Sequence, residues 1–423
     1  MRPLSTEASS SASGPLTAAS ERFDPFEPGY VDDPYPLLSE LQSTEPVFFA
    51  PSIGSWVVTR MATVRAVLRD TRRFSARIAS DPLTPLCPHA RAVIAASDFD
   101  VPPLLVNNDP PTHPHYRAFF GAPLVRERID ALAPFIRETV DDHLDRLTAG
   151  PSPADLVAGL TWDVPALVLM RLMGIPSEDV HQVKQWASSR VVLGWGRPTE
   201  DEQVRLCNGA VDYYRYAVEL VRRKAEAPGD DYVGELIRAR YGDDSRATLH
   251  EIAAVCFNLL FAGHETTSSA AANLFKAVVA DRPLWQALCE GRQAGMPVIE
   301  ESLRFDPPVQ SWRRQALEDV ELDGVVVPAG ARLLLMFAAA NRDPATFASP
   351  EAFCPGRRNA PQLVSFGAGA HFCLGAPLAR LELQIMLERV TARLPGLQLA
   401  EEQIFPYTPN TSFRALGRLM VRW

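Results

Sequence analysis

Through most of the middle of this chain apolar residues recur at helical spacing, and the pattern changes to alternation in only a few short stretches. Thr199-Glu200-Asp201-Glu202 sets a capping hydroxyl three residues before an acid and opens a long helix to about Ala225, which Pro228-Gly229 closes. Thr248-Leu249-His250-Glu251 repeats that arrangement ahead of an apolar helix reaching about Ala280, roughly 48 Å long at ~1.5 Å per residue. A helix of that length crosses a whole domain. Another runs from about Pro377 to Pro395-Gly396. Val47 to Arg60, rich in Val, Phe and Trp around Pro51-Ser52-Ile53-Gly54, reads as a hairpin, and Glu318 to Ala340 reads as short strands about Pro328-Ala329-Gly330. The predicted fold is mainly α with a small β portion. The chain shows no internal repeat or low-complexity linker, so a single domain is expected over 23–423 behind a disordered tail at 1–22.

Composition narrows the function classes. Hydrophobic residues make up 47% and charged residues 22% of the 423 positions, the balance of a soluble globular protein. A net charge of −9 without a basic block argues against a nucleic-acid partner. Ile252 to Gly263, the longest apolar run, is interrupted by Asn258 and falls short of the ~20 residues that cross a bilayer. The Ser/Ala-rich opening lacks the apolar core of a signal peptide. Six cysteines, at 87, 207, 256, 289, 354 and 373, have no Cys-x-x-Cys spacing, so a reducing cytoplasm is expected, with five of them as buried apolar residues.

The sixth, Cys373, carries the chemistry. Phe366-Gly367-Ala368-Gly369-Ala370-His371-Phe372-Cys373-Leu374-Gly375 places a thiol in a glycine-punctuated turn before a helix. Glycines at 367, 369 and 375 allow positive φ and the close approach of a flat ligand. Backbone N–H groups and the following helix N-terminus favour thiolate over thiol. A lone Cys has no partners for tetrahedral zinc, so a cofactor must bring the other ligands, as haem does. A Gly-rich surface loop around a structural cysteine is the bland alternative. The complete pattern Phe-Gly-x-Gly-x-His-x-Cys-x-Gly resembles the haem-binding segment of the cytochrome P450 monooxygenases. That resemblance implies the P450 fold, with a long central distal helix and a proximal Cys loop, haem b (iron protoporphyrin IX) ligated by the Cys373 thiolate, and Phe366, Gly367 and Gly375 in the cradle.

Within the long helix, Ala262-Gly263-His264-Glu265-Thr266-Thr267 puts polar groups where they are costly unless used. The Thr266 hydroxyl can bond the Ala262 carbonyl and bend the helix, and small Ala262 and Gly263 leave space beside the bend. Without a ligand this is a kink satisfied by its own backbone. The resemblance implies an oxygen-binding groove, with Glu265 and Thr266 as the acid–alcohol pair that delivers protons and His264 and Thr267 as bystanders.

Glu301-Ser302-Leu303-Arg304 pairs opposite charges at i, i+3, which alone describes many solvated helices. Its position resembles the P450 Glu-x-x-Arg pair, with Arg357 as the later arginine and Cys354 standing where bacterial relatives commonly have Asp. His113 and Arg117 fall on one helical face, and the resemblance implies that they, Arg314 and His371 hold the haem propionates, Arg313 being a rival to Arg314. Trp56 to Arg60, Trp195-Gly196-Arg197-Pro198, Trp312-Arg313-Arg314 and Pro409 to Arg414 are similar to the haem domain of self-sufficient P450s fused to a phthalate-dioxygenase-type reductase, although Gly263 replaces the alanine frequent there.

The expected activity is insertion of one atom of O₂ into a small organic substrate, by hydroxylation or O-dealkylation, with small aromatics as the candidate substrates. Electrons would come from NAD(P)H through a ferredoxin and its reductase or a fused-type reductase. A cytoplasmic monomer without membrane attachment is expected. Leu105, Leu260, Phe261, Val309 and Phe413 are the candidate pocket residues. A peroxide-driven peroxygenase and a non-catalytic haem-thiolate sensor or binding protein are the alternatives.

Overall fold

The computed structural model describes residues 13–423. Helices supply most of it. The two capping boxes open helices as predicted: Thr199 before Glu200–Glu226, and Thr248 before Leu249–Ala262, each with both reciprocal hydrogen bonds. The second helix does not run unbroken to Ala280. It stops at Gly263-His264 and resumes as Glu265–Ala280. The Thr266 hydroxyl donates to the Ala262 carbonyl at 3.0 Å, competing for the acceptor that a continuous ladder would use. The bend expected there is thus a break. The last long helix is Ala376–Arg393.

The predicted hairpin forms from Val47–Ala50 and Ser55–Val58, paired antiparallel. It extends into a five-stranded sheet through Arg332–Met336, which lies parallel to Ser55–Val58, then Ser311–Ala316 and Phe74–Ser75. Val320–Leu322 and Val325–Val327 make a small antiparallel pair. One core fills the space between the helices, and a second packs Val47, Trp56, Leu333 and Leu335 of the sheet against Val64 and Leu68 of the Met61–Arg69 helix.

The expected tail of 1–22 needs correction at its end. Residues 1–12 lie outside the described residues, but Ala18–Arg22 is a helix capped by Thr17. Buried Ser20 ties it to the sheet by donating to the Phe49 carbonyl at 2.6 Å. Of the five cysteines expected to be buried, Cys87, Cys207 and Cys256 are, Cys289 is half-buried and Cys354 is exposed. Among the described residues, no helix is long and apolar enough to cross a membrane.

Candidate active site

The loop before Ala376–Arg393 owes its shape to two glycines in the left-handed region, Gly367 at φ 71° and Gly369 at φ 68°. Gly369 is doubly constrained, because a Cβ there would sit 2.8 Å from the Leu68 carbonyl oxygen and 3.0 Å from Arg69 Cα. The loop is therefore pressed against the end of the Met61–Arg69 helix. Cys373 N–H donates back to the Phe366 carbonyl at 2.9 Å and closes the turn. Gly375 departs from expectation: its φ is −82° and a Cβ there would make an ordinary 3.8 Å contact with Cys373 Sγ, so neither backbone conformation nor packing within the described residues requires glycine. The thiol keeps accessible surface although it lies deep among protein atoms. Its immediate surroundings push its pKa up, against the pull of the Gly375 and Ala376 N–H groups and the charges of Arg117 and Arg380. The thiolate expected from sequence therefore needs a bound metal, which deprotonates a coordinating thiol outright.

Beside it the four predicted anchoring residues converge. The His113 and His371 rings stack 4.1 Å apart. Arg117 Nη2 donates to the Phe372 carbonyl at 2.6 Å, bracing the residue before the cysteine. Buried Arg314 acts electrostatically on both histidines. Burial and then the arginines Arg314 and Arg117, with His113, drive His371 down to about 3, so its ring is neutral. Burial likewise lowers His113. Arg313 is not a rival: its guanidinium is spent on the Asp81, Ala79 and Gly194 carbonyls. Both ring nitrogens of His113 and Nε2 of His371 are buried without a hydrogen-bond partner among the described residues. Unpartnered imidazoles, each with a ring N–H to place, beside two arginines fit a ligand with carboxylates, as haem has.

On the distal side Ala262 is exposed, Gly263 and Thr266 are half-buried and Glu265 is buried. A Cβ on Gly263 would lie 2.9 Å from Leu169 side-chain carbons, which accounts for glycine here. Ser188 Oγ donates to Glu265 Oε1 at 2.6 Å, and His264 Nε2 lies 3.3 Å from the same oxygen. Burial acts to raise the Glu265 pKa, but His264, Ser188 and Lys184 together outweigh it and hold the carboxylate below its ordinary range. Lys184 itself is buried over the Trp162 ring at 3.9 Å and donates to the Trp162 carbonyl; burial brings it down to about 8, against the pull of Glu265 and Asp163. His264, taken as a bystander, is 1% exposed and touches the acid. Sequence reading missed Lys184 and Ser188 as well. They sit at i, i+4 on the Val180–Trp195 helix, a spacing that was visible without saying what the face meets.

The Glu301–Arg304 pair is structural. Both side chains are fully buried, with two hydrogen bonds of 2.8 Å between them, and Arg304 also donates to the carbonyls of Asn341, Pro350 and Ala352. Arg357 Nε joins Glu301 at 3.2 Å. Cys354 takes part through its backbone N–H, 2.7 Å from Glu301 Oε1, so its departure from Asp costs the network nothing. Of the expected pocket residues, Leu260 is in the core, whereas Phe261 and Phe413 join Trp195 and Trp312 in one aromatic cluster. Val309 bridges Phe413 and Leu105 is half-buried.

Nocardicin C N-oxygenase of Nocardia uniformis subsp. tsuyamanensis is 32% identical over 96% of this chain and all of its own. The chain belongs to the cytochrome P450 family. The family model of cytochrome P450 matches residues 296–394, which span the Glu301–Arg304 pair and the cysteine loop. Like other P450s it is a haem-thiolate monooxygenase, and PikC of Streptomyces venezuelae, a cytochrome P450 monooxygenase, is 32% identical over 93% of the chain and 92% of its own. Among solved structures, cytochrome P450 CREJ in complex with (4-ethylphenyl) dihydrogen phosphate superposes with a TM-score of 0.92 at 33% identity, covering 95% of this chain and 99% of that one. An intact type IV self-sufficient P450 monooxygenase gives 0.92 at 34% identity, over 97% of this chain and 54% of that one. The likeness to reductase-fused P450s read from the tryptophan motifs is borne out.

Proposed function

We propose that this P450 inserts one atom of O₂ into a small organic substrate, by hydroxylation or O-dealkylation, as a cytoplasmic monomer fed with NAD(P)H electrons by a ferredoxin system or by a reductase of the fused type. The observation that carries the site assignment is the convergence of His113, Arg117, Arg314 and His371, with three orphaned ring nitrogens, beside exposed Cys373. In this reading the four hold the propionates of haem b, Cys373 is the metal ligand, Phe366, Gly367 and Gly375 form the cradle, and Ala262 and Gly263 border the opposite face. Bound haem supplies the capacity to activate dioxygen.

The chain's own groups then manage protons and water. Glu265, ionised, held by Ser188 and His264 and acted on by the charge of Lys184, accepts and passes a proton between its partners and the groove. The Thr266 hydroxyl donates to the Ala262 carbonyl, so its oxygen lone pairs remain to accept from a water or an incoming proton donor. Small aromatics are favoured as substrates by the walls that Trp195, Phe261 and Phe413 provide and by likeness to CREJ, whose structure holds an aryl phosphate. The test is the reduced, carbon-monoxide-bound protein together with product formation from O₂. A red-shifted Soret band lost in Cys373→Ser supports the reading; an unshifted band in the wild type would remove Cys373 as ligand.

A further inference from the structure

Along the distal helix and its continuation, Asn258, Ala262 and Thr266 keep accessible surface, with Leu259 and Gly263 beside them, while Phe257, Leu260, Phe261 and Glu265 are buried. Positions four apart share a face, so these form one strip ending at Thr266. At its Asn258 end stands Arg190. Its Nη1 donates to the Phe257 carbonyl at 3.2 Å and its Nη2 to Asn258 Oδ1 at 3.1 Å. The guanidinium carbon lies 4.2 Å from the Phe257 ring centroid and 4.8 Å from that of Phe261. Among the described residues it forms no ion pair with any carboxylate, unlike buried Arg304 and Arg414, and it lacks the third carbonyl acceptor that Arg313 has. Burial depresses its pKa to about 10, so the charge is enclosed by protein, yet the side chain keeps some accessible surface. Two neutral acceptors leave most of its five N–H donors unspent. An enclosed cation without an anion is costly unless a ligand brings one.

We infer that Arg190 anchors an anionic substrate: a compact aromatic molecule with one oxyanionic head, a carboxylate or a phosphate monoester, whose body lies along Phe261 and whose far end reaches Thr266. Asn258 and Thr266 lie eight residue steps apart, about 12 Å at ~1.5 Å per helical residue, the scale of a single substituted benzene ring with a short tail. Trp195 stacks on Phe261 at 5.7 Å and Phe413 meets both rings edge-on, a flat-sided wall suited to an aryl group. The inference rests on the monooxygenase reading and names its substrate class.

The test is a Soret titration of the ferric, haem-loaded protein with 4-ethylbenzoate and 3-(4-ethylphenyl)propionate, each against its primary amide, and with 4-ethylphenyl phosphate against 4-ethylanisole. At least one oxyanion binds about tenfold or more tighter than its neutral counterpart, the scale of a charge-assisted hydrogen bond. The pair that shows the preference identifies the head group. Arg190→Gln abolishes the preference and Arg190→Lys keeps part of it. A wild type that binds every oxyanion and its neutral counterpart alike, or an Arg190→Gln protein that retains the preference, overturns the inference. Should Arg190→Gln fail to hold haem, Asn258→Leu keeps the charge and removes the acceptor that aims it; oxyanion binding then weakens about threefold or more with neutral binding unchanged, and equal change in both overturns it. The carbon-monoxide band separates the two levels of the argument, since its absence removes the thiolate assignment and leaves the Arg190 comparison readable by calorimetry.

Discussion

Ser188 Oγ donates a 2.6 Å hydrogen bond to Glu265 Oε1, tying the Val180–Trp195 helix to the break in the distal helix. With His264 and Lys184 on the same carboxyl, the bond keeps Glu265 ionised although it is buried. A folded-state pKa below the ordinary value means that the carboxylate protonates only as pH falls beneath about 4.5. Removing the hydroxyl leaves burial less opposed, so in Ser188→Ala the acid limb of the kcat–pH profile moves toward neutral. An unmoved limb between pH 4 and 8 would separate Glu265 from proton delivery.

Thr266→Ala removes the hydroxyl while leaving the Ala262 carbonyl free for the helix ladder. Turnover with O₂ and the redox partner falls at least about tenfold, in line with the loss of a positioned proton-transfer group. Turnover driven by hydrogen peroxide, which arrives with its protons, is largely retained. Equal losses under the two oxidants would assign Thr266 a purely structural role.

The Glu301–Arg304–Arg357 group makes opposite demands on its members. Arg304→Ala takes two of the hydrogen bonds from a fully buried carboxylate, leaving it Arg357 and the Cys354 amide, and frees three buried carbonyls; it costs about 3–5 kcal/mol, so little haem-loaded protein should be recovered. Cys354→Asp, by contrast, alters an exposed side chain whose contact with Glu301 is made by the backbone, and stability stays within about 0.5 kcal/mol. Thermal unfolding of the two variants checks the contrast.

Glu382 is buried in the Ala376–Arg393 helix with Oε2 unpartnered among the described residues, and burial alone pushes its pKa well above the carboxylate range. The folded state holds a proton that the unfolded chain releases near pH 4.5. The stability from this protonation is complete below that pH and is lost as pH rises toward the raised folded value. Glu382→Gln abolishes the dependence, raising Tm at pH 8 by about 1 °C for each kcal/mol recovered in a chain of this length and leaving pH 5 nearly unchanged. A parallel gain at both pH values would mean that Glu382 is already ionised in the fold.

Local signals were readable in the chain and long-range ones were not. Thr199 and Thr248 announced their helices because a capping box involves four consecutive residues. The Thr266–Ala262 back-bond was foreseeable from spacing, whereas the closeness of Leu169 to Gly263 beside the break is a tertiary fact that no local pattern displays. Lys184, Ser188 and Arg190 carry no motif and gain meaning only when their helix crosses the distal one. Cys354 looked like a departure because sequence displays side chains, while the fold uses that residue's amide. The four anchoring residues come from three distant segments, His113 and Arg117 from one helix and Arg314 and His371 from elsewhere, and the family resemblance selected them.

The seating of Gly369 on Leu68 and Arg69 also sets an order of events during synthesis. The buttress is translated about three hundred residues before the loop it supports, so a growing chain has no shaped thiol to offer iron until the later segment has followed the earlier one. Haem capture in this sense waits on the more distant of the two. A product stalled between them would hold the seat and lack the ligand.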